Sequence, residues 1–355
     1  MRVVVTIQHP GHVHFFKHAI DELEGRGHEV YVFARENEVA VDLLEAYDID
    51  HEVLAGESDS LLSLATVQAT YEARLLRRAR QVKPDVITAI GGVAAAHVAT
   101  AVRAKSVVFY DTEHASLITR LAYPFADVVC TPSCYRGDVG AKHRRYPGYH
   151  ELAYLHPDRF EPDPSMRETI DCDPDEPLVL ARISSWGASH DVGQGGFESV
   201  RDVVERLEDA GATVVLTAEG DLPAGLETYR LTTAPERMHD WLAAADLVVS
   251  EGATTAAEAA VLGTPAVYVN SQALGYTTEL EAQYGLLFAF YDETRHARAL
   301  EQAVSILEDD DTDWSDRRAA MLDERIDVTT RIVTELETAG QERVSDRSPV
   351  AANPG

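Results

Sequence analysis

Asp246-Leu-Val-Val-Ser-Glu-Gly-Ala-Thr-Thr-Ala-Ala-Glu-Ala-Ala-Val-Leu-Gly-Thr-Pro265 is the stretch whose reading decides the fold. Leu247–Ser250 is an apolar run of strand length, and Ser250-Glu251-Gly252 breaks it. Thr255–Leu262 is an alanine-rich helix stopped by Gly263, and Ala266–Val269 is the next strand. Short apolar runs alternating with helical segments indicate βαβ units in a parallel sheet covered on both faces.

The same stretch can carry chemistry. The first turn of a helix has free N–H groups and a partial positive charge, which suits a diphosphate. Gly252 leaves room for a ligand to approach the backbone, and the hydroxyls of Thr254 and Thr255 add donors. Glu251 and Glu258 flank them. A purely structural reading competes: Thr255-x-x-Glu258 has the spacing of a capping box, in which Glu258 serves only its own helix.

Outward from this unit the second half repeats the scheme. Strands are expected at Leu178–Ile183 and Val214–Thr217, with helices at Gly196–Ala210 and Met238–Ala244 and terminal helices at Glu301–Leu307 and Arg317–Ala339. The loop Ser184-Ser-Trp-Gly-Ala-Ser-His-Asp-Val-Gly-Gln-Gly-Gly196 follows the first of these strands. Its glycines and serines, Ser184 among them, suit a phosphate or sugar, or mark a linker. Trp186 stacks on a ring or plugs a junction, and His190 is a further polar candidate in the loop.

The first half has the same alternation. Strands are expected at Val3–Ile7, Glu29–Ala34, Val86–Ile90, Ser106–Tyr110 and Ala126–Thr131. Helices fall between them, at Val13–Arg26, Glu36–Tyr47, Leu61–Val82, Ala94–Ala104 and Leu117–Pro124. His156–Pro177, with five prolines, reads as a linker and the entry to a second domain. The fold expected is therefore α/β and GT-B-like: two Rossmann-like domains, 1–160 and 161–340, facing across a cleft, with 341–355 a disordered tail.

Open α/β sheets bind ligands beyond the carboxyl ends of their strands. In the first half that places Gln8-His-Pro-Gly-His-Val-His14 at the site, with Pro10 and Gly11 shaping the turn. His9, His12 and His14 suit acid–base work near neutral pH or metal ligation, but no thiolate or carboxylate motif accompanies them, so no metal is expected. His14 has a core reading beside Phe15. Ile90-Gly91-Gly92 and Tyr110-Asp-Thr-Glu-His114 end the later strands, so Gly91, Gly92, Glu113 and His114 border the same region, or are ordinary loop residues.

Sixty acidic residues against thirty-one basic ones, only four of them lysine, give a net charge of −29. This excludes nucleic acid as the main partner and points to a salt-adapted cytoplasm. No stretch approaches a membrane span, and Met1–Ile7 reads as a strand rather than the core of a signal peptide. The odd count of three cysteines, with no Cys-x-x-Cys pair, argues against a disulfide framework.

The segments His9-Pro-Gly-His-Val-His-Phe-Phe16, Asp111-Thr-Glu-His-Ala115, Ser185-Trp-Gly-Ala-Ser-His-Asp191 and Ser250–Glu258 resemble the DUF354 family, over roughly residues 1–335. That family is related to MurG-type GT-B glycosyltransferases and to UDP-N-acetylglucosamine 2-epimerases. The resemblance implies that Pro10-Gly11-His12 faces donor or acceptor, that Thr254 and Thr255 approach the donor diphosphate, and that Glu258 binds ribose hydroxyls. Glu113 stands where the epimerases carry a catalytic glutamate within His-x-Glu-Ala-Gly. Two other epimerase carboxylate positions hold Ile90-Gly91-Gly92 and Ser116–Arg120 here.

Proton removal and nucleotide elimination need more than one placed carboxylate, so an inverting, metal-independent transferase is the expected activity. It would act in cell-surface or lipid-linked glycan synthesis. His12, or else Glu113, is its base, a nucleotide sugar its donor and a hydroxyl compound its acceptor, with no cofactor. A nucleotide-sugar epimerase and a non-catalytic nucleotide-sugar-binding protein are the alternatives.

Overall fold

The computed structural model describes residues 1–57, 61–113, 116–170, 172–173, 176–183, 197, 199–218, 220, 222–309 and 311–347. The chain divides into two compact units, Met1–Tyr154 with the chain from Ile326 onward, and Leu155–Arg325.

Unit 1 runs β1 (Arg2–Ile7), α1 (Pro10–Gly25), β2 (Glu29–Arg35), α2 (Ala40–Ala46), β3 (His51–Ala55), α3 (Leu61–Val82), β4 (Val86–Ile90), α4 (Val93–Val102), β5 (Lys105–Phe109), α5 (Ser116–Ala122), β6 (Val128–Pro132) and β7 (His143–Tyr146). Its seven strands lie in the order β3-β2-β1-β4-β5-β6-β7, and every pair is parallel. Central β1 pairs Val3 with Val30 on one side and with Val86 on the other. Val3, Val4, Val5 and Ile7 are fully buried, as a strand covered on both faces requires.

β3 and β7 were not read from the sequence. Both are edge strands, His51-Glu-Val-Leu-Ala and His143-Arg-Arg-Tyr, half-exposed and charged, so they carry no continuous apolar run.

Unit 2 runs β8 (Leu178–Ile183), α6 (Val200–Asp209), β9 (Thr213–Ala218), α7 (Met238–Ala244), β10 (Leu247–Ser250), α8 (Ala253–Leu262), β11 (Ala266–Val269), α9 (Gly275–Glu279), β12 (Leu287–Phe290), α10 (Arg295–Leu307) and α11 (Trp314–Glu324). The sheet order is β12-β11-β10-β8-β9, again parallel throughout. Strand β12 had a legible signal, the run Leu286–Phe290 after Gly285, that the sequence reading passed over.

The domain expectations need correction in two places. His156–Pro177 is not a free linker, because it packs on unit 2. The Arg167 guanidinium meets Asp246 Oδ2 at 2.8 Å, the Asp163 N–H donates to Asp240 Oδ1 at 2.9 Å, and Met166 is buried.

The expected single helix Arg317–Ala339 is two helices. Arg325 leaves the helical conformation, and the Ile326 N–H donates to Pro147 O of unit 1. Asp327 accepts from the Thr329 N–H and the Thr330 hydroxyl to start α12 (Val328–Arg347). This helix buries Ile332, Val333 and Leu336, and ties to unit 1 through Thr329 Oγ1 on Ala153 O and through the Arg343–Asp85 ion pair. It therefore belongs to the first unit, not to the second, and it continues into the segment read as tail.

Candidate functional site

In unit 2 the strand-to-helix turn is made by one hydroxyl. Buried Ser250 accepts the Gly252 N–H on Oγ at 3.0 Å and donates to Gly252 O at 2.8 Å. This closes the turn early. Gly252 becomes the N-cap, α8 begins at Ala253, and no side chain caps it. The capping-box reading of Thr255 and Glu258 is thereby corrected: Thr255 is the third residue of the helix, too late to cap it. Among the described residues, the N–H groups of Ala253, Thr254 and Thr255 and both threonine hydroxyls have no acceptor. These donors sit at the positive end of a ten-residue helix.

Glu258 follows Thr254 and Thr255 by four and three residues, so the three share one helix face. Its carboxylate is buried, with Oε1 3.0 Å from Nε2 of buried His239 on α7. His239 lies 19 residues away and had no sequence signal. Glu251 is also buried. Its carboxylate Oε1 accepts the Phe197 N–H and its backbone carbonyl accepts from Asn270 Nδ2, which ties together the ends of three strand-following segments. Ser184, Trp186 and His190 lie outside the described residues, as does His114.

In unit 1 the strand order reverses direction between β1 and β4, which makes the crevice beyond their carboxyl ends the binding position. The β1 side is the turn before α1. His9 is its N-cap: Nδ1 accepts the Gly11 N–H at 3.1 Å, and Nε2 lies 3.8 Å from exposed Glu38. The His12 N–H donates to His9 O, and Pro10 has no N–H to offer. The amides of this helix start are thus satisfied internally, unlike those of α8.

The half-buried His12 ring accepts the Gln8 N–H on Nδ1 at 3.3 Å. That contact places the ring proton on Nε2, so His12 presents a donor to its surroundings. Burial, followed by the charges of His9, His150 and Arg35, pushes its pKa down to about 3 and keeps the ring neutral. The expectation that His12 is a base is corrected on this geometry, since its only basic nitrogen is occupied by an amide. His14 takes its core reading: it is buried and stacked on Tyr154 at 5.3 Å.

On the β4 side, Gly91 and Gly92 have φ of +72° and +68°. A Cβ on Gly92 would stand 2.6 Å from Val108 Cγ2, so this glycine is demanded by backbone conformation and packing. Beyond β5, Glu113 Oε1 accepts the Arg136 N–H at 3.2 Å. Asp111 Oδ2 lies 3.2 Å from Nδ1 of buried His150, whose ring packs on Phe15. Burial lowers the pKa of His150, with Asp111 opposing.

Comparison with known proteins supplies a family and a fold. The family described as "Protein of unknown function (DUF354)" matches residues 1–292. A UDP-N-acetylglucosamine–N-acetylmuramyl-(pentapeptide) pyrophosphoryl-undecaprenol N-acetylglucosamine transferase of Clavibacter michiganensis subsp. michiganensis is 33% identical over 198 residues. The match covers 52% of this chain and 51% of that protein, so the chain spans about half the length of the curated relative.

UDP-GlcNAc 2-epimerase from Neisseria meningitidis, solved bound to UDP-GlcNAc, superposes with a TM-score of 0.66 at 13% identity, covering 95% of this chain and 100% of that one. Glycosyltransferase VinC, solved in complex with DTDP, superposes with a TM-score of 0.62 at 16% identity, covering 96% and 100%. At such identities the likeness establishes the fold alone: α/β, with two Rossmann-like units of the GT-B kind. Among the described residues no helix is long and apolar enough to cross a membrane.

Proposed function

The chain belongs to the DUF354 family, and from that premise we propose that it transfers a sugar from a nucleotide-sugar donor to a hydroxyl acceptor. The transfer is inverting and metal-independent and serves cell-surface or lipid-linked glycan synthesis. The observation that carries this reading is the start of α8, where three amides and two threonine hydroxyls have no partner among the described residues at the positive end of a helix. A nucleotide diphosphate leaving from the sugar develops negative charge, and oriented amides stabilise it without reorganising. Thr254 and Thr255 bind the diphosphate, and Glu258, held by His239, accepts from the ribose hydroxyls.

In unit 1, Glu113 is the base that takes the acceptor proton, and His12 donates a hydrogen bond from Nε2. The relative's name, a UDP-N-acetylglucosamine transferase acting on a pyrophosphoryl lipid, supports both donor class and acceptor class.

Calorimetric titration with UDP, GDP, DTDP and their sugars, in molar potassium chloride with and without EDTA, tests this reading. Micromolar binding of one nucleotide series, indifferent to EDTA, is the expected result. Failure of every nucleotide to bind removes the proposal. The likeness to an epimerase structure favours one second reading, nucleotide-sugar epimerisation. Incubation of the nucleotide sugar in deuterium oxide without acceptor separates the two, because epimerisation exchanges the C2 hydrogen and transfer leaves it unlabelled.

A further inference from the structure

We propose that the outer face of α3, α4 and α5 in unit 1 is an interface, and that its partner is a second copy of this chain packed antiparallel across a twofold axis. The inference concerns unit 1 alone and is independent of the transferase reading.

Composition singles this face out. Charged residues make up 26% of the chain, yet residues 61–71 and 86–102 contain no Asp, Glu, Lys or Arg. Residues 61–126 hold eight basic and four acidic side chains, in a chain with sixty acids and thirty-one bases. Two copies of net charge −29 repel over most of their surface, and this face is where that repulsion is least.

The face carries both a hole and the knobs to fill it. The three helices lie side by side. Four of the six exposed large apolar side chains among the described residues fall here: Leu64 on α3, Ile118 and Leu121 on α5, and Phe125 just after it, 48% exposed. Between α3 and α4 runs a cleft of about 350 Å³, lined by Ala69, Ala73, Leu76, His97 and Ala101 among others. His97 joins the cleft to the knobs. Its Nδ1 lies 3.0 Å from Glu72 Oε1, its Nε2 lies 3.1 Å from Leu121 O, and its ring meets Phe125 edge-on with centroids 4.7 Å apart. A surface with knob and hole side by side is self-complementary, as a twofold interface requires.

Charge along α3 sets the direction of packing. Ala65, Ala69, Ala73 and Arg77 form one i,i+4 ridge, and the ridge beside it ends at Arg80. The three alanines are exposed, so a second helix can approach closely. Both arginines are exposed at the end of the helix, and exposed Glu57 precedes its start. Antiparallel packing sets Arg77 and Arg80 of one copy against Glu57 of the other, twice over. Parallel packing would set arginine against arginine.

The area suffices. α3 has 22 residues and spans about 33 Å, and neighbouring helix axes lie about 10 Å apart, so α3 and α4 alone offer roughly 600–700 Å² per copy, against ~800 Å² in a standard interface. A lipid surface fits less well, because insertion wants large apolar side chains along the whole face, and the ridge here is alanine.

Sedimentation velocity of the full chain in molar potassium chloride, from low micromolar to about 100 µM, tests the interface. The expected result is a dimer whose dissociation constant rises at least tenfold in Ala69→Arg. Diluted to monomer, variant and wild type melt together. Glu57→Arg and Arg77→Glu each weaken the dimer as homodimers, and an equimolar mixture of the two recovers it, because both ends then pair opposite charges. A wild type that stays monomeric at the highest concentration, or a dimer indifferent to Ala69→Arg, overturns the interface. A dimer weakened by Ala69→Arg but not recovered by mixing the two charge variants overturns the antiparallel arrangement. A monomeric wild type that floats with phosphatidylglycerol vesicles, and loses that binding in Ala69→Arg, assigns the face to lipid and overturns the second copy.

Discussion

His239 Nε2 lies 3.0 Å from Glu258 Oε1, and both side chains are buried. The pair links α7 to α8 and fixes the Glu258 carboxylate on the helix face that also carries Thr254 and Thr255. The two members should respond differently to substitution. Glu258→Gln keeps an oxygen acceptor for the imidazole N–H, so unfolding in urea should shift by no more than about 1 kcal/mol. The same change removes a charged acceptor from the ribose, and UDP affinity should fall roughly tenfold to a hundredfold. His239→Ala removes one donor from the buried carboxylate, and should cost about 1–3 kcal/mol of stability. Equal UDP affinities for wild type and Glu258→Gln would remove Glu258 from the donor site.

Two glycines near helix starts should separate cleanly. Gly92 has φ of +68°, and a Cβ there would meet Val108 at 2.6 Å. Gly92→Ala should destabilise the protein by roughly 1–3 kcal/mol, from strain and overpacking. Gly252 has φ of −95°, and its Cβ would have nothing closer than Ser250 Oγ at 3.7 Å. Gly252→Ala should therefore leave the melting temperature nearly unchanged while weakening UDP binding. Thermal melts with and without UDP read both effects, and an apo Tm as low for Gly252→Ala as for Gly92→Ala would contradict the assignment.

His12 should make stability depend on acid. Its pKa falls from 6.5 to about 3 in the folded chain, so below pH 6.5 the unfolded chain binds a proton that the folded one does not. Stability contributed by the neutral ring is complete above 6.5 and is lost as pH falls toward 3, at up to ~1.4 kcal/mol per pH unit. The half-exposed position of the ring makes that an upper bound. His12→Gln should flatten the decline between pH 7 and 5, leaving the part due to His150, whose pKa is also lowered. Urea midpoints of wild type and variant that fall in parallel over this range would show that His12 is not buried neutral.

The net charge of −29 should make the fold salt-dependent. Screening shortens from ~10 Å at 0.1 M to ~3 Å at 1 M salt, so repulsion among surface carboxylates grows as salt is withdrawn. The melting temperature should rise between 0.1 and 2 M potassium chloride, and a flat profile would show that the acidic surface is not what limits stability.

Much of the fold was legible locally. The consecutive apolar residues of β1, β4, β8 and β10 and the glycine stops after α1, α6 and α8 are signals held within a few residues. Edge strands β3 and β7 escaped because water on one side relaxes the demand for apolar side chains, so pairing rather than composition makes them strands. The start of α8 was misplaced by two residues because the Ser250 hydroxyl, not Thr255, governs the turn.

By itself the sequence determined the alternation of strand and helix, the two parallel sheets that follow from it, and the chemical inventory at the strand ends. Those depend on periodicity and turn residues, which act over short stretches of chain. Tertiary structure alone decided that Glu258 meets His239, that Gln8 occupies Nδ1 of His12 and so makes it a donor, and that α12 returns to unit 1. Each of these is set by which groups packing brings within about 3 Å, or keeps apart, across many residues of chain, and hydrogen bonding and charge pairing act only at that range.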